Sequence, residues 1–127
     1  MINLVYMMVG ITGAIGALLR YLFGALIPST YFMGFPVSTL GINLSGSFGL
    51  SWFFTWVTKH PSFPDWARTA IATGFIGSFT TFSTFNIELI HLVEKNHLLY
   101  SILYFICSTI GGYLFSRLGY EIAKNKD

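Results

Sequence analysis

The sequence predicts an all-α membrane protein of four membrane-crossing helices, the third of them broken within the bilayer. Three observations carry this. The chain has 127 residues, 54% hydrophobic and only 9% charged, whereas a soluble domain carries about 25% charged residues. A crossing helix needs about 20 mostly apolar residues, so four with short connections use nearly the whole chain and leave no room for a soluble domain. Finally, the stretch Gly74 to Asn86, GFIGSFTTFSTFN, interrupts an apolar run with two glycines and five hydroxyls. Glycine makes a break easy, and hydroxyls re-satisfy freed backbone groups. At membrane depth a break survives only where protein buries it or a cavity lines it. It exposes carbonyls at one new end and amide N–H groups at the other, which suit a cation and an anion respectively. The plainer alternative is an intact helix whose Ser and Thr bond back to their own carbonyls.

The first span is expected over about residues 4–27. Gly10, Gly13 and Gly16 recur every three residues, which lets another helix approach closely. Arg20 lies shortly before a connection at Pro28, Ser29 and Thr30. It reads either as a side chain snorkelling to the interface while holding that connection, or as a basic group at a pore entrance. No cleavable signal peptide is expected, because the segment lacks a basic start.

The second span is expected over about residues 36–58, with Pro36 suited to the first turn. Thr39, Asn43, Ser47 and Ser51 fall at i, i+4 spacing as one polar stripe. Gly41, Ser45 and Gly49 form a second stripe of small residues, expected to pack against another helix. Asn43 is a buried amide that needs partners, and its NH2 is a donor suited to an anion. Equally, it reads as an interhelical hydrogen bond that holds the bundle. The connection KHPSFPD breaks the helix with two prolines. Trp52, Trp56 and Trp66 flank it as interface anchors.

The third span is expected over about residues 66–93. That length exceeds one simple crossing and fits two half-helices. Glu88 must be paired, hydrated or near the membrane edge; it bonds the broken region or sits in an aqueous vestibule. His91 reads as an interface residue. The fourth span is expected over about residues 98–118, where Tyr104, Ser108 and Gly112 share one narrow polar face. That face is either a hydroxyl track or a packing seam. Basic residues favour cytoplasmic termini only slightly, which allows insertion in both orientations.

No paired acid and base, activated nucleophile, phosphate loop or metal cluster emerges, so an enzyme is not expected. Cys107 is single, which excludes an intrachain disulfide. The net charge of +2 is scattered and leaves no nucleic-acid footprint. What remains is neutral donors and aromatic edges in lipid. Aromatic rings have a positive edge, so an anion can run along Phe82 and Phe85. Neutral ligands hold an ion weakly enough to release it.

The stretches GITGAIGALLRY, FPVSTLGINLSGSF and GFIGSFTTFSTF resemble the small dual-topology fluoride channels, the Fluc or CrcB family, over essentially the whole chain. The resemblance implies an antiparallel homodimer in the cell membrane with two fluoride pathways. It also implies a central sodium ion on the backbone carbonyls of Gly77 and Thr80. Phe82 and Phe85 would line the pore, and Asn43 would donate to fluoride. A polar track would run from Tyr104 through Ser108, with Ser83 and Thr84 nearby. Arg20 and Glu88 match the family's basic and acidic positions. The implied role is passive fluoride export, which protects the cell. Three alternatives remain: a proton-coupled fluoride antiporter, a small multidrug exporter and a non-transporting membrane subunit. The exporter would want an acidic residue midway along the first span, and none is there.

Overall fold

A computed structural model describes residues 2–28 and 33–126 and is all-helical among them. Ser29 and Thr30 of the expected first connection lie outside the described residues. The long helices are α1 (Ile2–Leu26), α2 (Val37–Thr58) and α6 (Leu98–Asn125). Between them the chain forms α3 (Asp65–Thr69), a π-helical segment Ala70–Ile76 and α4 (Gly77–Phe79), end to end as a first half-helix. Thr80 and Thr81 are then extended, with φ/ψ of −78°/158° and −148°/119°. A second half-helix, α5 (Phe82–Glu94), follows. Its 13 residues rise about 20 Å, short of the roughly 30 Å of a hydrocarbon core. The break divides the element Asp65–Glu94 into two pieces.

Local chemistry explains the boundaries. Pro36 and Pro64 precede α2 and α3 and cannot belong to an earlier helix. Asp65 sits in the first turn of α3, where the helix dipole favours an acid. Asn96, at φ 60°, turns the chain between α5 and α6; asparagine tolerates that left-handed conformation.

Two packed pairs form the body: α2 lies along α6, and α1 lies along the π-helical segment and α4. Small residues set both distances. A Cβ at Gly16 would overlap the Phe75 carbonyl, and one at Gly74 would overlap Thr12 and the Val9 backbone. On the other pair, Gly119 meets the Phe48 carbonyl and Gly111 meets Leu44. The small-residue stripe expected on α2 does not do this work. Gly41 and Gly49 have nothing near the position of a Cβ, and Ser45 is exposed. The close approach on α2 is instead at Gly46, which lies against the methyl of Thr80.

One apolar cluster joins Phe53, Val57 and Ala72; a second joins Phe85, Leu92 and Tyr104. The outer faces are different. α1 and α6 are each long and apolar enough to cross a membrane, and most of their residues are uncovered. Ile11, Leu18 and Leu22 on α1, and Leu103, Ile106, Ile110 and Leu114 on α6, are exposed. Apolar surface on this scale is covered by lipid or protein, not water.

Candidate functional site

The break is held by one side chain. In a continuous helix the Thr81 N–H would bond the Gly77 carbonyl. Here it donates to Asn43 Oδ1 at 2.8 Å, while Asn43 Nδ2 donates to the Thr81 carbonyl at 2.9 Å. The amide of Asn43 therefore pairs with the Thr81 backbone as a neighbouring strand would. This leaves the Gly77 carbonyl without its helical donor. One N–H of Asn43 remains without a partner among the described residues, and Asn43 lines a cavity of about 270 Å³ with Ser47, Gly77, Thr80 and Phe82. The two readings of Asn43 are thus not exclusive: it holds the bundle and keeps a donor.

Thr81 also caps the second half-helix. Its Oγ1 accepts from the Thr84 N–H at 3.3 Å and lies 3.0 Å from Thr84 Oγ1 and 3.4 Å from Ser83 Oγ. Arg20 Nε donates to the Ser78 carbonyl at 3.0 Å. A cation at the carbonyl end of a half-helix is favourably placed. Arg20 therefore caps the break rather than holding the connection to α2. Glycine plays a smaller part than expected. Gly77 is helical, at φ −62° and ψ −33°, and the extended residues are threonines.

Glu88 is the second centre. Thr39 Oγ1 donates to one carboxylate oxygen at 2.8 Å, and the fully buried Tyr104 donates to the other at 2.7 Å. Its partners are not at the break. The carboxylate lies between two cavities. One, of about 660 Å³, reaches Arg20, Thr39, Thr81 and Thr84; the other, of about 360 Å³, reaches His91, Lys95 and His97.

The phenylalanines divide. Phe85 is 7% exposed and meets the Tyr104 ring edge-on at 5.1 Å, whereas Phe82 is 77% exposed. Their centroids are 6.0 Å apart. Ser83 is exposed and Thr84 half-buried. The expected track is only partly assembled. Tyr104 turns its hydroxyl to Glu88, and Ser108 Oγ is buried with no partner among the described residues. Gly112 faces Ser47 across the α2–α6 contact.

Thr81 was read only as one of the five hydroxyls of the 74–86 stretch, and Thr39 only within a stripe. Thr81 carried a signal, a threonine at a helix start three residues before another hydroxyl. The link from Thr39 to Glu88 spans 49 positions and leaves no local trace. His, Cys, Asp and Glu form no group of three or more that could hold a metal among the described residues.

An all-helical chain that turns its longest apolar helices outward and gathers amides, hydroxyls and ring edges at a broken helix is a multi-pass membrane protein. The sequence profile described as CrcB-like protein, Camphor Resistance (CrcB), matches residues 7–120. The chain is 46% identical over 121 residues to the fluoride-specific ion channel FluC 2 of Geobacillus kaustophilus, covering 95% of this chain and 94% of that one. It is 48% identical over 120 residues to the fluoride-specific ion channel FluC 1 of a Bacillus cereus strain, covering 94% and 88%. It is 34% identical over 123 residues to FluC of Bordetella avium, covering 97% and 95%. The chain belongs to the CrcB family.

Proposed function

We propose that this chain is a fluoride-selective channel that lets fluoride leave the cell passively. The observation that carries the reading is the end-to-end similarity to relatives named fluoride-specific ion channels. The broken helix supplies the physics. A small halide gives up water inside the bilayer, and neutral donors and ring edges replace it. Asn43 keeps one N–H for that purpose, and Ser83, Thr84 and Ser108 carry hydroxyls. Phe82 and Phe85 offer their edges. No step requires an enzyme's bond chemistry.

The working unit in this proposal is an antiparallel pair of chains, each crossing the membrane four times at about residues 4–27, 36–58, 66–93 and 98–118. Three features support pairing. Phe82 is largely uncovered within one chain, Gly77 is exposed, and α1 and α6 expose apolar faces. The resident cation would be sodium, held by the Gly77 and Thr80 carbonyls of both copies. Freed carbonyls at a half-helix end are suitable oxygen ligands for it. The Ser78 carbonyl is already taken by Arg20. When bound, sodium would neutralise the carbonyl ends and fix the two breaks against each other. The residues of this chain do the rest: Asn43 holds the break open, and Arg20 and Thr81 cap its two ends.

The test is fluoride efflux from liposomes containing only the purified chain, with chloride as the comparison ion. Rapid fluoride loss with chloride retained is expected; vesicles that stay tight to fluoride overturn the reading. A proton-coupled antiporter is the second reading, favoured by the carboxylate of Glu88 between two cavities. An imposed pH gradient that drives fluoride uphill would establish it instead.

A further inference from the structure

Two polar rows meet at a cavity that the break does not explain. On α2 the row is Thr39, Asn43, Ser47 and Ser51; on α6 it is Tyr104, Ser108, Gly112, Ser116 and Tyr120, each step being four residues. The two helices run in the same direction, because their contacts climb together. Gly111 meets Leu44, Gly119 meets the Phe48 carbonyl, and Lys59 Nζ donates to the Lys124 carbonyl at 2.6 Å. The rows therefore stay side by side. Glu88 joins them at one end, through Thr39 and Tyr104. Further along, Ser116 Oγ donates to the Ser47 carbonyl at 3.4 Å. Beyond that bond they open into a cavity of about 440 Å³ lined by Ser51, Tyr113, Ser116, Arg117, Tyr120 and Glu121. Arg117 is exposed, and its guanidinium has no hydrogen bond or ion pair among the described residues. Glu121, one turn on, is not bonded to it. Lys124 Nζ lies 5.8 Å from the centroid of the Tyr120 ring, so a second cation stands over the cavity wall. Two cations against one carboxylate leave the opening positive.

We propose that this cavity is a mouth of the ion pathway and that Arg117 is the residue that draws anions to it. The inference rests on the fluoride-channel reading and gives it a cation that the polar rows alone do not supply. Ser51 lies eight residues past Asn43, about 12 Å along α2, while half a hydrocarbon core is about 15 Å. With the break at mid-bilayer, the opening falls just inside the headgroup level. An unpaired charge at that depth turns to a water-filled cavity, another charge or a headgroup. The rival partners of Arg117 are thus a lipid phosphate and an acid of a second copy. The hydroxyls of Ser51, Tyr113, Ser116 and Tyr120 in the same cavity favour water. A guanidinium is a permanent charge, so the attraction acts throughout the working pH range. Each unit charge roughly 8 Å from an entering anion in a watery dielectric changes its local concentration about two-fold. Charge of this kind acts on entry, so salt screens it. Glu121 acts in the opposite sense in the same opening.

The experiment is fluoride efflux from proteoliposomes of the whole chain in neutral phosphatidylcholine. It is run at low ionic strength, with fluoride dilute enough that flux is proportional to its concentration. Arg117→Gln should lower flux about two-fold, Arg117→Glu should lower it about five-fold, and Glu121→Gln should raise it about two-fold. Arg117→Lys, which keeps the charge, should restore what Arg117→Gln loses. All these differences should vanish at about 1 M of a salt with an impermeant anion, where the Debye length is about 3 Å. A folding defect would not be screened away. Variant flux equal to wild type at low salt, or differences that persist in high salt, overturns the mouth. So does a defect that appears only when anionic phospholipid is added, which assigns Arg117 to a lipid phosphate. Loss of cross-linked pairs in Arg117→Gln also overturns it and assigns the residue to a contact between copies. A wild type that passes no fluoride at all overturns the channel reading instead.

Discussion

Asn43→Asp isolates what the amide does at the break. The substitution preserves shape and keeps an oxygen to accept the Thr81 N–H, now at 2.8 Å. It replaces the Nδ2 donor with an oxygen facing the Thr81 carbonyl at a present separation of 2.9 Å. Losing that hydrogen bond costs about 1 kcal/mol, and the unmet carbonyl adds about 1–3 kcal/mol. The effect on the ion is larger. A carboxylate about 5 Å from an anion at an effective dielectric of about 20 repels it by about 3 kcal/mol, or roughly two orders of magnitude in occupancy. Fluoride efflux measured with an electrode should therefore fall about a hundred-fold or more, while size-exclusion elution stays that of the wild type. Acid should partly restore it, because a protonated carboxyl donates to the Thr81 carbonyl as the amide did and carries no charge. Efflux within about two-fold of wild type at neutral pH would remove Asn43 from the pathway and leave it only as a backbone clamp.

Phe82→Ile and Phe85→Ile should each cut efflux about ten-fold or more with assembly retained, since the ring edge is lost and apolar bulk remains; unchanged efflux excludes that ring. Gly16→Val should lower the yield of folded protein sharply, by several kcal/mol of strain against the Phe75 carbonyl, as read by monodisperse recovery after detergent extraction. Gly77→Val behaves differently, because in one chain its Cβ would meet only the Ala72 carbonyl at 3.6 Å. It should fold but fail to pair, and cross-linking should then report single chains.

Much of the fold was legible because lipid imposes simple rules. Low charge and four apolar runs gave the helices, and prolines marked the starts of α2 and α3. The position of the break was also readable from the hydroxyl-rich stretch. Its mechanism was not. Two glycines drew attention to Gly77, yet the chain stays helical there and opens at Thr80 and Thr81. What opens it is a side chain 38 positions away, Asn43. Such a contact is invisible to periodicity. Arg20 shows the same limit: its neighbours in sequence suggested the first connection, while its partner is Ser78. The α2 stripe of Gly41, Ser45 and Gly49 meets no neighbour within one chain, for another reason. Small residues show that a close approach is possible, but not which element makes it, and within one chain nothing does.

Asn43 and Arg20 divide the carbonyl end of the first half-helix between them. Asn43 takes the N–H that the Gly77 carbonyl would have used, and Arg20 satisfies Ser78 directly. In hydrocarbon each unmet backbone group costs several kcal/mol, so the carbonyls of Gly77, Phe79 and Thr80, which have lost their helical donors, cannot be left to lipid. In the proposed pair, a shared cation between two copies would answer that cost, and Phe82 would pass from open surface into a protein interior. On this argument the pair is not an added layer of assembly but the condition under which a break held by Asn43 is stable in a membrane. A chain unable to pair should then lose its helix break before it loses its helices.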